Sequence, residues 1–154
     1  MAILKIVTDP DPLLRKTSRT VDEITPRILT LLDDMADTLH KAEGVGLAAV
    51  QVGVLRRVVI IETEPGKLYE MINPVILKRT KKTQTNREGC LSVPGLWGDT
   101  ERAEAVLVKY TDRNGSETEM KADGFLAQAI QHELDHLDGI LYTDHAKNVR
   151  AAGS

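Results

Sequence analysis

The sequence has only one cysteine, Cys90, so it cannot form an internal disulfide bond. It has no apolar run long enough to cross a membrane, and its N-terminus lacks the charged and apolar regions of a secretory signal. Its net charge of −3 gives no indication of nucleic-acid binding. We therefore expect a cytoplasmic protein in a reducing compartment, with no membrane partner and no direct nucleic-acid partner.

The sequence also lacks internal repeats, low-complexity segments and linkers rich in Pro, Gly or Ser. Its 154 residues and 42% hydrophobic content are sufficient for one domain with a sizeable core. We therefore predict a single domain over residues 1–150. Residues 151–154, with the sequence Ala-Ala-Gly-Ser, are predicted to be a disordered tail or a scar from an expression vector.

What the sequence does contain is an H-E-x-x-H pattern at residues 132–136. On a helix, His132 and His136 lie one turn apart on the same face, where both imidazoles can bind one metal ion. Glu133 lies beside them without being needed as a ligand. Because a bound metal lowers the pKa of its water, a neighbouring carboxylate can take the water's proton and pass it to a leaving group. The pattern therefore indicates metal-assisted hydrolysis of an amide.

The residues around this pattern predict that it lies on a helix. Asp123 can cap the N-terminus, and Gly139 can supply a left-handed stop. Between them, apolar residues recur at helical spacing: Leu126, Ala129, Ile130, Leu134 and Leu137.

A hydrolytic metal needs a third protein ligand and an open fourth position. Cys90 can supply a thiolate, and one thiolate with two imidazoles suits Zn²⁺ and also Fe²⁺. The alternative for a lone cysteine is a small buried hydrophobic residue. Downstream of the pattern, the formal alternative ligands are Asp138, Asp144 and His145.

The rest of the sequence predicts an α+β fold. Thr25 and Pro26 can begin an N-terminal helix, whose apolar stripe consists of Ile28, Leu31, Leu32, Met35 and Leu39. Strands are predicted over residues 57–61, 70–72 with 74–77, 104–110 and 116–121; the turn Asn114-Gly115 predicts that the last two form an antiparallel hairpin. We expect antiparallel strands packed around a central motif-bearing helix, with the N-terminal helix on the outside.

Residues 44–49 match the G-x-G-x-x-A pattern of dinucleotide-binding sites. That pattern needs a strand before it and a helix after it, whereas here a predicted helix precedes it and a predicted strand follows. A dinucleotide site is therefore disfavoured. The glycines are better explained if the backbone runs close beside an extended peptide.

Three separated motifs resemble those of the peptide deformylases: residues 44–51 (Gly-Val-Gly-Leu-Ala-Ala-Val-Gln), 88–92 (Glu-Gly-Cys-Leu-Ser) and 131–136 (Gln-His-Glu-Leu-Asp-His). They occur in family order and at family-like spacing, and the resemblance extends from the N-terminus to about Tyr142. It implies a hydrolase of protein biosynthesis that processes the N-terminal methionine. The implied reaction removes the N-formyl group of newly made polypeptides and releases formate.

The resemblance also implies a role for each motif residue. Glu133 would be the general base and acid, while the Gln51 amide and the Leu91 backbone N–H would stabilise the oxyanion. The implied metal is ferrous iron, with zinc, nickel or cobalt able to occupy the same site. Its ligands would be Cys90, His132 and His136.

The resemblance implies an apolar pocket for the methionine side chain, lined by Val45, Phe125, Ala129 and Leu91. Gly46 would lie beside the peptide, and Trp97 is a candidate for the edge of the groove. Simple core packing is the alternative for the pocket residues. Further residues are expected to orient the cysteine loop or a ligating imidazole, with ordinary surface charges as the alternative: Glu43, Glu88 and Arg102.

The sequence departs from the family at two places. Val50 stands where many members have Pro, Asn or Thr, which is expected to change substrate preference rather than remove activity. The sequence ends soon after the motif helix, where many bacterial members continue into a basic helix associated with ribosome contact. We therefore expect a formyl-Met nascent peptide as substrate, with ribosome contact only weakly supported.

Two other functions remain as alternatives. An H-E-x-x-H metallo-endopeptidase would be favoured if the third ligand were Asp, Glu or His instead of cysteine. A non-catalytic metal-binding module would require a closed fourth metal position, and the presence of Glu133 argues against it.

Overall fold

The computed structural model describes residues 2–151. Within this range the chain forms two α-helices and eight β-strands. The helices are α1 (Pro26–Ala42) and α2 (Gly124–Leu137). The strands are β1 (Gly46–Ala48), β2 (Val58–Ile61), β3 (Tyr69–Arg79), β4 (Thr83–Cys90), β5 (Val93–Ala103), β6 (Ala105–Thr111), β7 (Glu117–Asp123) and β8 (Lys147–Ala151).

The strands form two antiparallel sheets. One has five strands in the order β1-β2-β3-β6-β7, and the other has three in the order β4-β5-β8. Every strand pair in both sheets is antiparallel. The predicted α+β fold is therefore confirmed.

The two helices pack on opposite faces of the five-stranded sheet. Side chains alternate between the two faces of a strand, so on β2 Val58 and Ile60 pack with α1, whereas Val59 and Ile61 pack with α2. The predicted apolar stripe of α1 is buried, which confirms its period. Helix α2 also contacts the three-stranded sheet, because its side chains bond to Glu88 of β4 and Arg102 of β5. It therefore lies between the five-stranded sheet and strands β4 and β5.

Both helices begin where their sequence patterns predict. Thr25 is the N-cap of α1 with Pro26 in its first turn, and Asp123 is the N-cap of α2, although neither cap side chain bonds to the helix backbone. Gly139 has a φ of 75°, the left-handed conformation expected just after α2. The end positions and the buried residues of α2 together determine which face of this helix carries His132 and His136.

Four predicted strand segments are present, with β3 running continuously through residues 69–79. The predicted hairpin is also present, because β6 pairs with β7 around a turn in which Gly115 has a φ of 82°. Strands β1, β4, β5 and β8 had no sequence prediction. Ala151 is the last residue of β8, and the remainder of the predicted tail, residues 152–154, lies outside the described residues.

No helix among residues 2–151 is both long enough and apolar enough to cross a membrane.

Candidate metal and catalytic site

Cys90, His132 and His136 come together at one point of the described chain. Their ligand atoms all lie within 4.8 Å of one another, and Cys90 Sγ is 3.3 Å from His136 Nε2. The two imidazoles project from successive turns of α2, with ring centroids 5.2 Å apart. Cys90 arrives from the end of β4. A thiolate and two imidazoles are suitable ligands for Zn²⁺ or Fe²⁺, so these residues fit a divalent metal.

His136 is buried in a form suited to ligation. Its side chain has no solvent exposure, and burial, with the nearby positive charges of His132 and Arg102, lowers its pKa well below the usual value. A low pKa favours the neutral imidazole, which is the form that binds a metal.

Glu88 holds the other imidazole in place. Its carboxylate accepts a hydrogen bond from His132 Nδ1 at 2.6 Å, which leaves Nε2 of His132 facing Cys90 and available to a metal. Arg102 donates to both carboxylate oxygens, at 2.7 and 2.8 Å, and Thr100 and Gln128 donate to the same group. Burial alone would raise the pKa of Glu88, but the bonds from Arg102 and His132 keep that pKa well below its usual range. Glu88 is therefore a buried carboxylate that orients His132.

We expect that Glu88→Ala weakens metal binding by roughly tenfold to a hundredfold, the usual cost of removing a hydrogen-bond partner of a ligating imidazole. Metal content per chain, measured after dialysis, tests this. Glu88→Gln separates charge from shape, because an amide oxygen can still accept from His132. Glu101→Ala, on the exposed face of β5, is the control. A stoichiometric metal content in Glu88→Ala would remove Glu88 from this role.

Glu133 lies beside the cluster and is almost completely buried, with 4% of its surface exposed. Its Oε2 is 3.9 Å from His132 Nε2, and its Oε1 has no hydrogen-bond partner among the described residues. Burial raises the pKa of Glu133 to about 7, although the charge of His132 opposes the shift. A carboxyl group with a pKa near neutrality can both accept and return a proton.

Gln51 is held so that its amide nitrogen faces the hairpin that follows Cys90. Its Oε1 accepts from the Ala48 backbone N–H at 2.9 Å, and its Nε2 donates to Ser92 Oγ at 3.0 Å. The same Nε2 lies 3.6 Å from Cys90 Sγ. Because the oxygen is fixed by Ala48, the amide cannot flip, and its N–H groups remain directed to the site.

A cavity of about 450 Å³ opens onto these groups. Its lining includes two residues of the Cys/His cluster, Cys90 and His132. It also includes every residue that the sequence predicted for the substrate: Val45, Gly46, Leu91, Phe125 and Ala129. Phe125 and Val45 are 53% and 39% exposed, so neither is simply a core residue. His136 and Gln51 are buried and do not line the cavity, but each contacts Cys90, which does.

Trp97 lies at the cavity wall, as the sequence suggested. Its indole covers Gly89, where a Cβ would lie 2.8 Å from the ring, and the Arg87 guanidinium stacks over the indole at 4.5 Å from the ring centroid. Glu43 also lines the cavity but makes no hydrogen bond to the Glu88 network in residues 2–151.

The sequence did not predict four of the residues that support the site: Ser92, Thr100, Gln128 and Tyr142. Ser92 lies inside the motif at residues 88–92, so its position was a usable signal. The other three are ordinary polar or aromatic residues in the sequence, and only the fold brings them together with Glu88 or His132.

The chain matches a family model described as polypeptide deformylase over residues 3–152. A protein named peptide deformylase from Pelotomaculum thermopropionicum is 50% identical over 150 residues, which cover 97% of this chain and 96% of that protein. One of the same name from Alkaliphilus metalliredigens is 52% identical over 144 residues, covering 94% and 97%.

Solved structures agree with these sequence similarities. A peptide deformylase from Legionella pneumophila has a TM-score of 0.91 and 40% identity, covering 96% of this chain and 88% of its own. The Synechococcus elongatus structure, a peptide deformylase in complex with actinonin, has a TM-score of 0.92 and 38% identity, covering 96% and 81%. The similarity in fold therefore extends over nearly the whole chain.

Proposed function

The chain belongs to the polypeptide deformylase family, and we propose a role in that family's reaction for each residue of the site. The reaction removes the N-formyl group from the N-terminal methionine of new polypeptides. The chain is a metal-dependent hydrolase, and residues 1–150 form its single catalytic domain. The observation that carries the proposal is that three ligand atoms lie within 4.8 Å of one another. Beside them lies a buried oxygen of Glu133 that has no hydrogen-bond partner in residues 2–151.

Cys90, His132 and His136 would hold the metal. When bound, the metal acts as a Lewis acid that lowers the pKa of a water molecule and polarises the formyl carbonyl. We propose ferrous iron as the native ion, with zinc, nickel or cobalt able to occupy the same ligands, because thiolate and imidazole suit all of these ions. The cysteine ligand disfavours the endopeptidase alternative, which would be supported by Asp, Glu or His.

Glu133 would move the proton. Its Oε1, which has no partner in residues 2–151, can accept the proton of the attacking water and then deliver it to the amine of methionine as the amide bond breaks. The first role needs a carboxylate and the second a carboxylic acid. The confined position beside His132 keeps the group within the site for both.

The Gln51 amide and the Leu91 backbone N–H would stabilise the negative charge that develops on the formyl oxygen. Ala48 and Ser92 fix the Gln51 amide before substrate arrives, so the donor does not have to reorganise during the reaction. Donors held in this way act on the transition state more than on the ground state.

The substrate would be a peptide beginning with formyl-methionine. Val45, Phe125 and Ala129 form an apolar surface in the cavity for the methionine side chain, and Gly46 lets a peptide backbone approach closely. Cytoplasmic location is part of the proposal, because new polypeptides are made there and the ligand role of Cys90 needs a reduced thiol. Ribosome contact is a weaker proposal, because in residues 2–151 α2 is followed by β8 and not by a basic helix.

We expect protein prepared anaerobically with iron to release formate from a short formyl-Met peptide. A chelator should abolish formate release, and iron should restore it, because the three ligands bind the metal without a covalent link. The same preparation, incubated with an unformylated peptide, measures internal cleavage and so tests for an endopeptidase. If the metal-loaded protein releases no formate, the proposed reaction is wrong.

A further inference from the structure

The pairing of β4 with β5 is interrupted beside Gly89, where one residue of β4 faces residues 94–97 of β5. We call this segment the 94–97 bulge. All four of its residues line the cavity, so the bulge is the part of the wall that β5 contributes. Because it lies outside the β4–β5 hydrogen bonds, other contacts must hold it in position.

Two kinds of contact hold the 94–97 bulge. Strand β8 pairs with its outer edge, with Leu96 opposite Ala151 and Trp97 opposite Arg150. The Tyr142 hydroxyl donates to the Leu96 carbonyl at 3.1 Å, and this is the only side-chain hydrogen bond to the bulge in the described residues 2–151.

Tyr142 also contacts the metal site. Its side chain is 1% exposed, and its ring stacks on the His132 imidazole with centroids 5.9 Å apart and planes 27° apart. The Nδ1 atom of the same imidazole donates to the Glu88 carboxylate. One rigid aromatic side chain therefore touches both a cavity wall and a ligating ring.

We propose that Tyr142 is a positioning residue that ties the 94–97 bulge to His132, with its hydroxyl holding the cavity wall for the peptide and its ring holding the imidazole. The inference rests on the proposed function, since the wall is assigned to a peptide substrate. It separates two roles within one side chain. The hydroxyl serves peptide binding, and the ring serves metal retention.

Tyr142→Phe keeps the ring and removes only the hydroxyl. We expect KM for a formyl-Met tripeptide to rise roughly two- to tenfold, the effect of one neutral hydrogen bond. The kcat should stay within about twofold of wild type, and metal content should be unchanged, because the ring still packs on His132. A rise in KM at constant kcat indicates lost binding that is shared by the ground state and transition state.

Trp97 gives a readout that does not depend on activity, because it is the only tryptophan in the chain and follows Leu96 directly. In Tyr142→Phe we expect acrylamide to quench its fluorescence more strongly, since the bulge is less firmly held. Tyr110→Phe is the matched control, because Tyr110 is a buried tyrosine of the large core that does not line the cavity. The control should leave KM and quenching at wild-type values.

Tyr142→Leu removes the ring as well and should lower metal retention in addition to raising KM. Wild-type retention in that variant would overturn the role assigned to the ring. Wild-type KM and quenching in Tyr142→Phe would overturn the role assigned to the hydroxyl. The KM measurement requires an active wild-type enzyme, so a wild-type protein that releases no formate would contradict the proposed function. The role of Tyr142 would still be tested by fluorescence quenching and by metal content, because neither needs activity.

Discussion

Replacing Glu133 with alanine is expected to reduce the rate of formate release by about a thousandfold while the protein retains its metal. Loss of a general acid and base typically costs a factor of a hundred to ten thousand. Glu133 fits this role because it is buried, has an oxygen without a partner in residues 2–151, and has a pKa raised by burial to about 7. Formate release from a formyl-Met peptide and metal content per chain are the two measurements.

Two comparisons make the result interpretable. Glu133→Gln keeps the side-chain shape but cannot carry the proton, so it should be as inactive as Glu133→Ala. The metal content of both variants should match wild type, because the proposed ligands are Cys90, His132 and His136. An active glutamine variant would show that Glu133 positions a group and does not transfer a proton. Loss of metal from both variants would instead assign Glu133 to the ligand set.

The features that sequence predicted are those set by local physics. The H-E-x-x-H pattern places two imidazoles on one helix face, and the capping positions Thr25 and Asp123 mark helix starts, because both depend only on residues near in sequence. The hairpin at Asn114-Gly115 was predicted for the same reason. These features were sufficient to predict the α+β class and to propose two of the three metal ligands.

The third proposed ligand, Cys90, could not be assigned from local pattern alone. Cys90 is more than forty residues before His132 in sequence, and a lone cysteine is commonly a buried core residue. It became a candidate because the H-E-x-x-H pattern needs a third ligand, and the resemblance of the motif at residues 88–92 then assigned it. The structure supplies the physical reason, because β4 brings Cys90 to α2 and the ligand atoms converge.

The parts that the sequence did not predict depend on long-range packing. Strand β4 is almost entirely polar, and β5 has apolar residues at no regular spacing, so neither shows a hydrophobic period and neither was predicted. The partners of Glu88 come from β5 and α2, which sequence spacing cannot bring together. Tyr142 likewise contacts Leu96 of β5 only because the chain after α2 folds back against that strand.

The space around Glu133 gives the second large expected effect. A Cβ at position 46 would lie 2.6 Å from Glu133 Oε2 and 2.9 Å from its Cγ, which is too close for both groups to keep their positions. Gly46 does not have a left-handed φ, so Gly46→Ala introduces no backbone strain. The flexible end of Glu133 must move instead. We expect kcat for formate release to fall by about a hundredfold or more, the usual cost of displacing a reacting group by about 1 Å.

A double-mutant cycle separates this effect from a lost peptide contact, because Gly46 also lines the cavity. In the Glu133→Ala background, Gly46→Ala should cause little further loss in kcat, since the carboxylate that it displaces is already absent. Metal content and the thermal unfolding midpoint of Gly46→Ala should remain close to wild type. If Gly46→Ala instead raises KM and leaves kcat unchanged, its glycine serves the peptide backbone alone. Additive losses in kcat would likewise contradict a coupling between the two positions. The expected non-additivity would show that glycine at position 46 leaves the space that the Glu133 carboxylate occupies.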